Sequence, residues 1–401
     1  MESRFTVIVV GGSIAGLSLA HWLHRANVKC IILEKRCKIA PEEGVAVTIT
    51  PNGARILAQL GLFSSIERLT EPVRVSQALF PDGFECCYAV PRICQERLGY
   101  PIAFLKRQKL LDSLYTMFPD KHNIHTRKKV VLVEQEDDGV RVHMRDGAIY
   151  AGHLVVGADG VHSAIRDQIL RMAETFHPGV KSVPRNTTIN YACVFGISSP
   201  ISKWPTGHQV VAFGQGKAIM TVSGPDRRLF WFIVLKLKTP RQHGKRPQFS
   251  RQDAEAECEK AAEVWVTKGV QFEEVWRNRE IFSATLLEEA LLPRWHWGRV
   301  VCIGDSVHKA SLNLMTPNVG QGANCAIEDA ACLASELHSA LIRQGTKISD
   351  VQIHQLPAEF SAIPQRRMKF MYTLSKVVVR LHTRQNFIYG AMLLGLVTGG
   401  R

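Results

Sequence analysis

An α/β fold with two lobes and C-terminal helices is predicted for this chain of 401 residues. Three observations predict it: a strand, glycine turn, helix and second strand over residues 7–33, β-rich segments without crossover helices over 187–237, and long helical stretches from residue 322 onward. A strand–helix–strand unit begins a doubly wound parallel sheet, whereas successive strands without helices form an antiparallel meander. The antiparallel lobe is therefore inserted into the parallel one.

The composition is that of a globular chain with a large core. Apolar residues make up 46% and charged residues 21%, which excludes a disordered chain or a collagen-like repeat. Fifty Lys and Arg against 36 Asp and Glu give a net charge of +14, which favours anionic partners such as phosphorylated cofactors or acidic lipid. The charges are scattered, so nucleic acid is not expected as a partner.

Cysteine usage and the N-terminus indicate the compartment. The ten cysteines show no paired CxxC spacing, and several lie in apolar runs where a thiol behaves as a small hydrophobe. The N-terminal strand is too short for a secretory signal. We expect free core thiols and an intracellular protein, either cytoplasmic or peripherally associated with a membrane.

The first turn has the position of a dinucleotide fingerprint, between a strand (residues 7–10) and a helix (residues 17–26). There, backbone N–H groups and the positive helix end meet a pyrophosphate. Ser13 stands where the strict pattern has its middle glycine, and its hydroxyl could donate to a phosphate oxygen. The candidate cofactor-binding residues of this turn are Gly11, Gly12, Ser13, Ala15 and Gly16.

An acidic residue ends the second strand. Glu34 follows Gly16 by 18 residues, where a carboxylate accepts hydrogen bonds from both ribose hydroxyls of an adenosine and repels a 2′-phosphate. This favours FAD or NAD over NADP as the bound dinucleotide. The alternative is a structural glycine turn with a surface glutamate, but the joint spacing favours the cofactor site.

Two further Gly/Asp turns follow strand-like runs. The sequence GADGVHSAIR covers residues 157–166, and GDSVH covers 304–308. With the first turn they resemble the class A FAD-dependent monooxygenases, the p-hydroxybenzoate hydroxylase-like family, over about residues 5–345. That resemblance implies a Rossmann-like FAD-binding lobe with an inserted antiparallel β-sheet substrate lobe.

The same resemblance implies roles for individual residues. Asp159 and Arg166 match the DG motif, where FAD and NAD(P)H are both handled, and Asp305 matches the aspartate that bonds the ribityl chain. Arg107 matches an arginine that reaches the flavin side of the cofactor, although a surface cation is the alternative for it.

A glycine loop precedes a long helix after the third turn. Such a loop aims backbone N–H groups at negative charge that develops on a reduced flavin. An ordinary capped helix would explain the glycines but not their position after a GD turn. The candidate residues here are Pro317, Gly320, Gly322 and Ala323.

Segments 39–53, 191–197 and 316–329 look most like the fungal FAD-dependent epoxidases of meroterpenoid and indole-diterpene pathways. By that likeness Thr48 occupies a cofactor-contact position and Ala323 contacts the flavin through its backbone. The likeness implies a monooxygenase of fungal secondary metabolism that uses FAD, NADPH or NADH, and O₂. It would epoxidise an olefin of a prenyl chain on an apolar substrate.

One stretch differs from the family. Eight residues separate His308 from Pro317, where the family has about three, so residues 310–314 look like an insertion. Two alternatives to the epoxidase therefore stay open: an aromatic-ring hydroxylase of the same family, and a catalytically silent flavin-binding protein.

No catalytic residue is assigned. The middle-sheet positions where a polar pair is expected are Ala192 and Lys217, and the candidates to line a substrate pocket are Tyr191, Phe195 and Phe213. The 15 histidines include no HExxH motif, and no metal site is expected.

Domain boundaries complete the prediction. The FAD-binding domain is discontinuous, and Pro364 is expected to kink or interrupt the last helix. The apolar residues 387–397, flanked by arginines, are expected either to contact a membrane surface or to pack on the FAD lobe. The domains are 1–72, 99–175 and 294–345 for FAD, 73–98 and 176–293 for substrate, and 346–401 for the C-terminal helical segment.

Overall fold

The computed structural model describes residues 5–41, 46–176, 188–242, 249–287, 294–308, 320–344 and 350–384. In these ranges the strands are β1 (Thr6–Val10), β2 (Lys29–Leu33), β3 (Ala46–Ile49), β4 (Glu71–Pro72), β5 (Val75–Leu79), β6 (Glu85–Tyr88), β7 (Ala103–Lys106), β8 (Ile124–His125), β9 (Val130–Gln135), β10 (Val140–Met144), β11 (Ile149–Gly152), β12 (Leu154–Gly157), β13 (Thr188–Ser198), β14 (His208–Phe213), β15 (Lys217–Ser223), β16 (Leu229–Gln242), β17 (Trp265–Thr267), β18 (Val270–Gln271), β19 (Arg279–Leu287), β20 (His296–Trp297) and β21 (Val300–Cys302).

Helices surround these strands. Two of them are short 3₁₀ helices, at Lys121–Asn123 and Pro225–Arg227. The α-helices are α1 (Ile14–Arg25), α2 (Pro51–Gln59), α3 (Phe63–Glu67), α4 (Val90–Leu98), α5 (Arg107–Thr116), α6 (Ala164–Phe176), α7 (Arg251–Glu259), α8 (Phe272–Arg277), α9 (Asp305–His308), α10 (Gly322–Gln344) and α11 (Asp350–His382).

The first sheet confirms the predicted doubly wound lobe. Its strand order is β20-β21-β12-β1-β2-β8, and every pair is parallel except β20 with β21. Every residue of β1 is buried, as expected for a strand covered on both faces. Val10 pairs with both Leu33 and Gly157, so β1, β2 and β12 end at one edge of the sheet.

The second sheet is the inserted lobe, with strand order β19-β13-β16-β15-β14-β5-β6. Strands β14 to β16 form an antiparallel meander as predicted, and β5 joins its edge by pairing in parallel with β14. The prediction is wrong for β13, which pairs antiparallel with β16 and not with its neighbour in sequence, β14. We name its two faces by their buried residues. The inner face carries Tyr191, Cys193, Phe213, Met220 and Phe232. The outer face carries Ala192, Ile219, Trp231 and Ile233, and it packs against α7 and α8.

The last described helix joins the two lobes. It continues through Pro357 and Pro364 without interruption from Asp350 to His382, so the chain does not leave the helix at Pro364. Met368 lies in the core of the first lobe, whereas Val379 and Leu381 pack on the inner face. The C-terminal helical segment is therefore packed against both sheets.

Several predictions concern residues outside the described ranges. Pro317, the stretch 310–314 and the apolar segment 387–397 lie there, and the domain boundaries stay predictions. Within the described ranges, no helix combines the length and the apolarity needed to cross a bilayer. All ten cysteines are free, but Cys37 and Cys87 are exposed, so the expectation of core thiols is wrong for those two.

Candidate functional site

A cleft of about 600 Å³ opens where β1, β2 and β12 end. The structure brings nine of the predicted residues into its lining: Gly11, Ser13, Ala15, Glu34, Arg107, Asp159, Asp305, Gly322 and Ala323. Four others support the turns behind that lining: Gly12, Gly16, Thr48 and Gly320. The residues that follow β1, β2, β12 and β21 meet in one cleft because parallel strands bring their carboxyl ends to one edge. Arg107 enters the same cleft from β7, which belongs to a separate antiparallel sheet with β3 and β4.

The first turn requires glycine at two positions because of close backbone approach. Gly11 has φ +110°, and a Cβ there would lie 2.3 Å from the carbonyl oxygen of Ala158. A Cβ on Gly16 would lie 1.9 Å from the Gly11 oxygen. No acidic residue occupies the first turn of α1 and the Ser13 side chain does not cap it, so the positive end of this helix is open to an anion.

Ser13 holds Arg107 in the cleft. The Arg107 guanidinium donates a hydrogen bond of 2.7 Å to the Ser13 hydroxyl across 94 residues of sequence. Arg107 is half-buried at the start of α5 and lines the cleft, so it is not a free surface cation. The serine that breaks the strict glycine pattern therefore orients a cation beside the open end of α1.

Glu34 is buried at the end of β2, with only 3% of its surface exposed. Its Oε2 accepts the Gly12 N–H at 2.8 Å, and its Oε1 accepts the Arg36 N–H at 2.9 Å. A carboxylate has about four acceptor sites, so two remain for a ligand in the cleft. Glu34 thus also anchors the first turn, a role that the spacing did not predict.

Asp159 stabilises the DG turn itself through hydrogen bonds. It accepts hydrogen bonds from the Ser163 hydroxyl and from the N–H groups of Ala164 and Ile165, at 2.5, 2.6 and 3.2 Å, and so caps α6. Burial raises the pKa of Asp159, and these hydrogen bonds oppose the rise. Asp159 therefore shapes the wall of the cleft beneath any ligand.

The DG and GD turns are bonded to each other. The buried Arg166 guanidinium donates to the carbonyl oxygens of Val161 and Ser306, at 3.2 and 3.1 Å. The Ser306 hydroxyl donates to the Gly157 oxygen at 2.7 Å. Arg166 therefore positions one turn relative to the other, and a ligand that touches both meets a single preformed surface.

Asp305 begins α9. Its side chain is open to the cleft on one side and is surrounded by protein on the others. That surrounding protein raises the pKa of Asp305, whereas the nearby His308 and Arg107 lower it. The resulting arrangement presents an acceptor carboxylate to a ligand, with a guanidinium close by.

A buried asparagine that the sequence analysis did not single out holds the start of α10. Asn324 donates to the carbonyl oxygens of Thr48 and Gly320, at 2.9 and 2.7 Å, and accepts the Thr50 N–H at 3.1 Å. A Cβ on Gly320 would lie 2.9 Å from the Thr48 side chain. Thr48 thus supports the glycine loop from behind, and the only sequence signal for Asn324 was its place within the 316–329 match.

The inner face of the second sheet reaches the cleft through one residue of β3. Ala46 lines the cleft and also packs against the inner-face cluster. The two positions expected for a polar pair do not lie there. Ala192 belongs to the outer-face core, and the Lys217 ammonium donates to the Lys260 carbonyl oxygen at 2.9 Å.

The residues around the cleft fit an anionic dinucleotide. Cationic side chains outnumber carboxylates in the lining, and the open end of α1 adds positive potential. Nowhere in the described part of the chain do three or more His, Cys, Asp or Glu side chains gather in a way that could hold a metal ion. The cationic residues are Lys35, Arg36, Arg107, Lys128 and Lys129.

Curated relatives match almost the whole chain. A protein described as the FAD-dependent monooxygenase spyC of Aspergillus fumigatus is 46% identical over 387 residues, covering 95% of this chain and 80% of that protein. The FAD-dependent monooxygenase nodM of Hypoxylon pulicicidum is also 46% identical over 387 residues, covering 96% and 82%.

Solved structures share the fold at low identity. A variant of HpxO from Klebsiella pneumoniae in complex with FAD has a TM-score of 0.77 at 21% identity, covering 98% of this chain and 94% of that one. A salicylate hydroxylase substrate complex has a TM-score of 0.76 at 16% identity, covering 100% and 95%. The model of the FAD binding domain matches residues 4–349. The chain therefore belongs to the FAD binding domain family and is an FAD-dependent monooxygenase.

Proposed function

We propose that the protein uses NADPH or NADH and O₂ to epoxidise an olefin of a prenyl chain, on an apolar meroterpenoid or indole-diterpene intermediate of fungal secondary metabolism. FAD lies in the cleft, with its pyrophosphate at the open end of α1 and an adenosine ribose at Glu34. Asp305 and the backbone at the start of α10 hold the flavin half. Bound FAD supplies the redox chemistry, in which one atom of O₂ is transferred to the substrate.

The protein's own residues position and shield the reactants. Arg107, held by Ser13, places a cation beside the cofactor's negative groups. The first turns of α1 and α10 direct N–H groups into the cleft, where they stabilise negative charge. The inner face of the second sheet excludes water from the side on which an apolar substrate would lie.

The observation that carries the epoxidase proposal is the apolar inner face. Phe213, Met220 and Phe232 are at most 8% exposed, and Ala46 connects this face to the cleft. Val379 and Leu381 of α11 cover these side chains, so a prenyl chain would lie at the margin of this face beside Ala46. It would gain free energy by leaving water there, at about 25 cal/mol per Å² of apolar area. A small polar aromatic acid would gain less from the same contacts.

Two of the buried ionisable groups at this face provide no strong base, which an aromatic-ring hydroxylase would use and an epoxidase would not. Burial raises the pKa of the Cys193 thiol, so this group stays neutral at pH 7. His382 contacts the Phe213 ring with 5.1 Å between ring centroids, and burial lowers its pKa to about 4, which leaves a neutral, weak base. Phenol hydroxylation benefits from a stronger base near the phenol, whereas oxygen transfer to an alkene requires none.

The test is incubation of the purified protein with FAD, NADPH or NADH, and ¹⁸O₂. Farnesylated and geranylgeranylated phenols and indoles are the candidate substrates. We expect substrate-stimulated oxidation of the nicotinamide cofactor and a product that has gained one ¹⁸O atom and lost one olefin. Fragment masses or NMR locate the oxygen.

The other outcomes decide between the alternatives. Oxygen on the aromatic ring, with every olefin intact, would replace the epoxidase by a hydroxylase. If the protein binds flavin but NADPH or NADH does not reduce it with any of these substrates present, the result would favour the catalytically silent protein.

Glu34→Ala is expected to weaken FAD binding at least tenfold. The substitution removes a charged acceptor for the ribose, which is worth roughly 1.5–3 kcal/mol, and it also frees the Gly12 N–H from its buried partner. Glu34→Gln keeps one acceptor oxygen and should show a smaller loss. Quenching of flavin fluorescence during titration with apoprotein measures both, and parental affinity in Glu34→Ala would contradict the ribose assignment.

Ser13→Gly restores the strict glycine pattern, yet we expect it to weaken FAD binding about fivefold. The loss of the Arg107 hydrogen bond costs roughly 1 kcal/mol and makes the position of the guanidinium beside the cofactor less fixed. Ser13→Thr, which keeps a hydroxyl, is the matched variant and should retain most of the affinity in the same titration. Tighter FAD binding by Ser13→Gly would show that close phosphate approach outweighs the arginine contact.

A further inference from the structure

Arg367 reaches from the C-terminal helix to two neighbouring carboxylates beneath the GD turn. Its guanidinium lies 2.9 Å from Glu328 Oε2 and 3.0 Å from Asp329 Oδ1, both on α10. The Asp329 side chain is fully buried, the Glu328 side chain is 19% exposed and that of Arg367 is 32% exposed. One cation thus compensates two adjacent acids at the contact between α10 and α11.

Burial makes this compensation necessary. A carboxylate removed from water is strongly destabilised unless it is paired and hydrogen-bonded. Burial raises the pKa of Glu328, and Arg367 is the first of the groups that lower it again. Without the guanidinium, the two carboxylates would repel each other in a poorly solvated site, and Asp329 would lose the partner of one of its oxygens.

The other oxygen of Asp329 supports the turn that carries Asp305. Asp329 Oδ2 accepts the Gly304 N–H at 3.0 Å and lies 3.0 Å from His308 Nε2. The hydrogen bond fixes the Gly304 end of the short segment 304–308, and the His308 ring lies against the same carboxylate oxygen at the other end.

The turn also has little room to shift. Gly304 has φ +59°, and a Cβ there would lie 3.0 Å from the Ala15 side chain and 3.2 Å from that of Ala326. The direction in which Asp305 enters the cleft therefore depends on the orientation of Asp329.

We propose that Arg367 is a positioning residue of the cofactor site, which acts from the C-terminal helix through Asp329 on the Gly304–Asp305 turn. The proposal rests on the assignment of Asp305 to FAD made above. It makes α11 part of the machinery that sets FAD affinity, although Arg367 does not line the cleft.

The test compares Arg367→Met with Arg366→Met, a change at the exposed neighbouring position on the same helix. FAD affinity is measured by flavin-fluorescence titration of the apoprotein, and thermal unfolding of the apoprotein is recorded beside it. We expect about a tenfold rise in the FAD dissociation constant for Arg367→Met and less than a twofold change for Arg366→Met. Arg367→Lys, which keeps the charge but not the fork of donors, should lie between them.

A double-mutant cycle with Asp305→Ala separates positioning from general loss of structure. If Arg367 acts through the turn, Arg367→Met should weaken FAD binding by less than twofold in the Asp305→Ala background. The same tenfold loss in both backgrounds would overturn the proposal, as would parental affinity of Arg367→Met. If Arg367→Met does not fold, the cycle is run with Arg367→Lys, for which we expect about a threefold loss in the parent and none with Asp305→Ala.

The same cycle distinguishes failure of this proposal from failure of the Asp305 assignment. Parental FAD affinity in Asp305→Ala alone would show that Asp305 does not contact FAD. A loss in Asp305→Ala together with parental affinity in Arg367→Met would leave that assignment intact and exclude the route through Arg367.

Discussion

Gly11→Ala is expected to lose FAD during purification and to lower the free energy of unfolding by roughly 3 kcal/mol, from overpacking and backbone strain together. The new Cβ would lie 2.3 Å from the Ala158 oxygen and 2.8 Å from the Asp159 Cα, and the residue would keep φ +110°. Because these opposing atoms are backbone, no side chain can rotate away, and the first turn and the DG turn must separate. Flavin absorbance of the purified protein and thermal unfolding measure the two effects.

Gly61→Ala is the matched control for strain without a clash. Gly61 has φ +75°, and nothing lies within 4 Å of a Cβ built there. We expect a loss of about 1 kcal/mol from the left-handed conformation and full retention of FAD. Full flavin content in Gly11→Ala would show that the two turns do not approach as closely as described.

Asn324→Ala is expected to lower the free energy of unfolding by roughly 3 kcal/mol, because three hydrogen bonds of about 1 kcal/mol each are lost and their buried partners are left unpaired. The loop before α10 would lose its links to Thr48 and Thr50, so FAD affinity should fall as well. Chemical denaturation measures the first effect and flavin-fluorescence titration the second.

Asn278→Ala provides the comparison for an exposed asparagine. Its amide donates one hydrogen bond of 2.8 Å, to the Glu274 carbonyl oxygen, at the end of α8. We expect less than about 1 kcal/mol of destabilisation and no change in FAD affinity. Equal effects of the two substitutions would mean that Asn324 does not hold the glycine loop.

Much of the first lobe was predictable because its signals are local. A buried strand, a glycine turn and a helix follow one another within about 20 residues, and the parallel arrangement then requires their ends to share one edge. The DG and GD turns lie in the same cleft because the parallel strands that precede them end at this edge. The pairing of β5 with β14 was not predictable, because it joins Ser76 to Gln209 across a long stretch of chain with no periodic signal.

The roles of individual side chains were likewise predictable in part and dependent on the tertiary structure in part. Glu34 was placed at the cleft by its spacing alone, but its bond to the Gly12 N–H depends on how β1 and β2 align. The sequence left open whether Arg107 was a surface cation, and only the tertiary structure shows its contact with Ser13.

By itself, the amino-acid sequence determined the opening strand–helix–strand unit, the first glycine turn, the two Gly/Asp turns and the acid at the second strand, since each is set by neighbours within one structural element. Only the tertiary structure decided which residues support those turns. Asn324 bonds Thr48 across 276 residues, and Arg367 bonds Asp329 across 38 residues from another helix. Such contacts depend on helix packing and sheet order. No periodic pattern in the sequence indicates which residue a buried polar side chain will bond to.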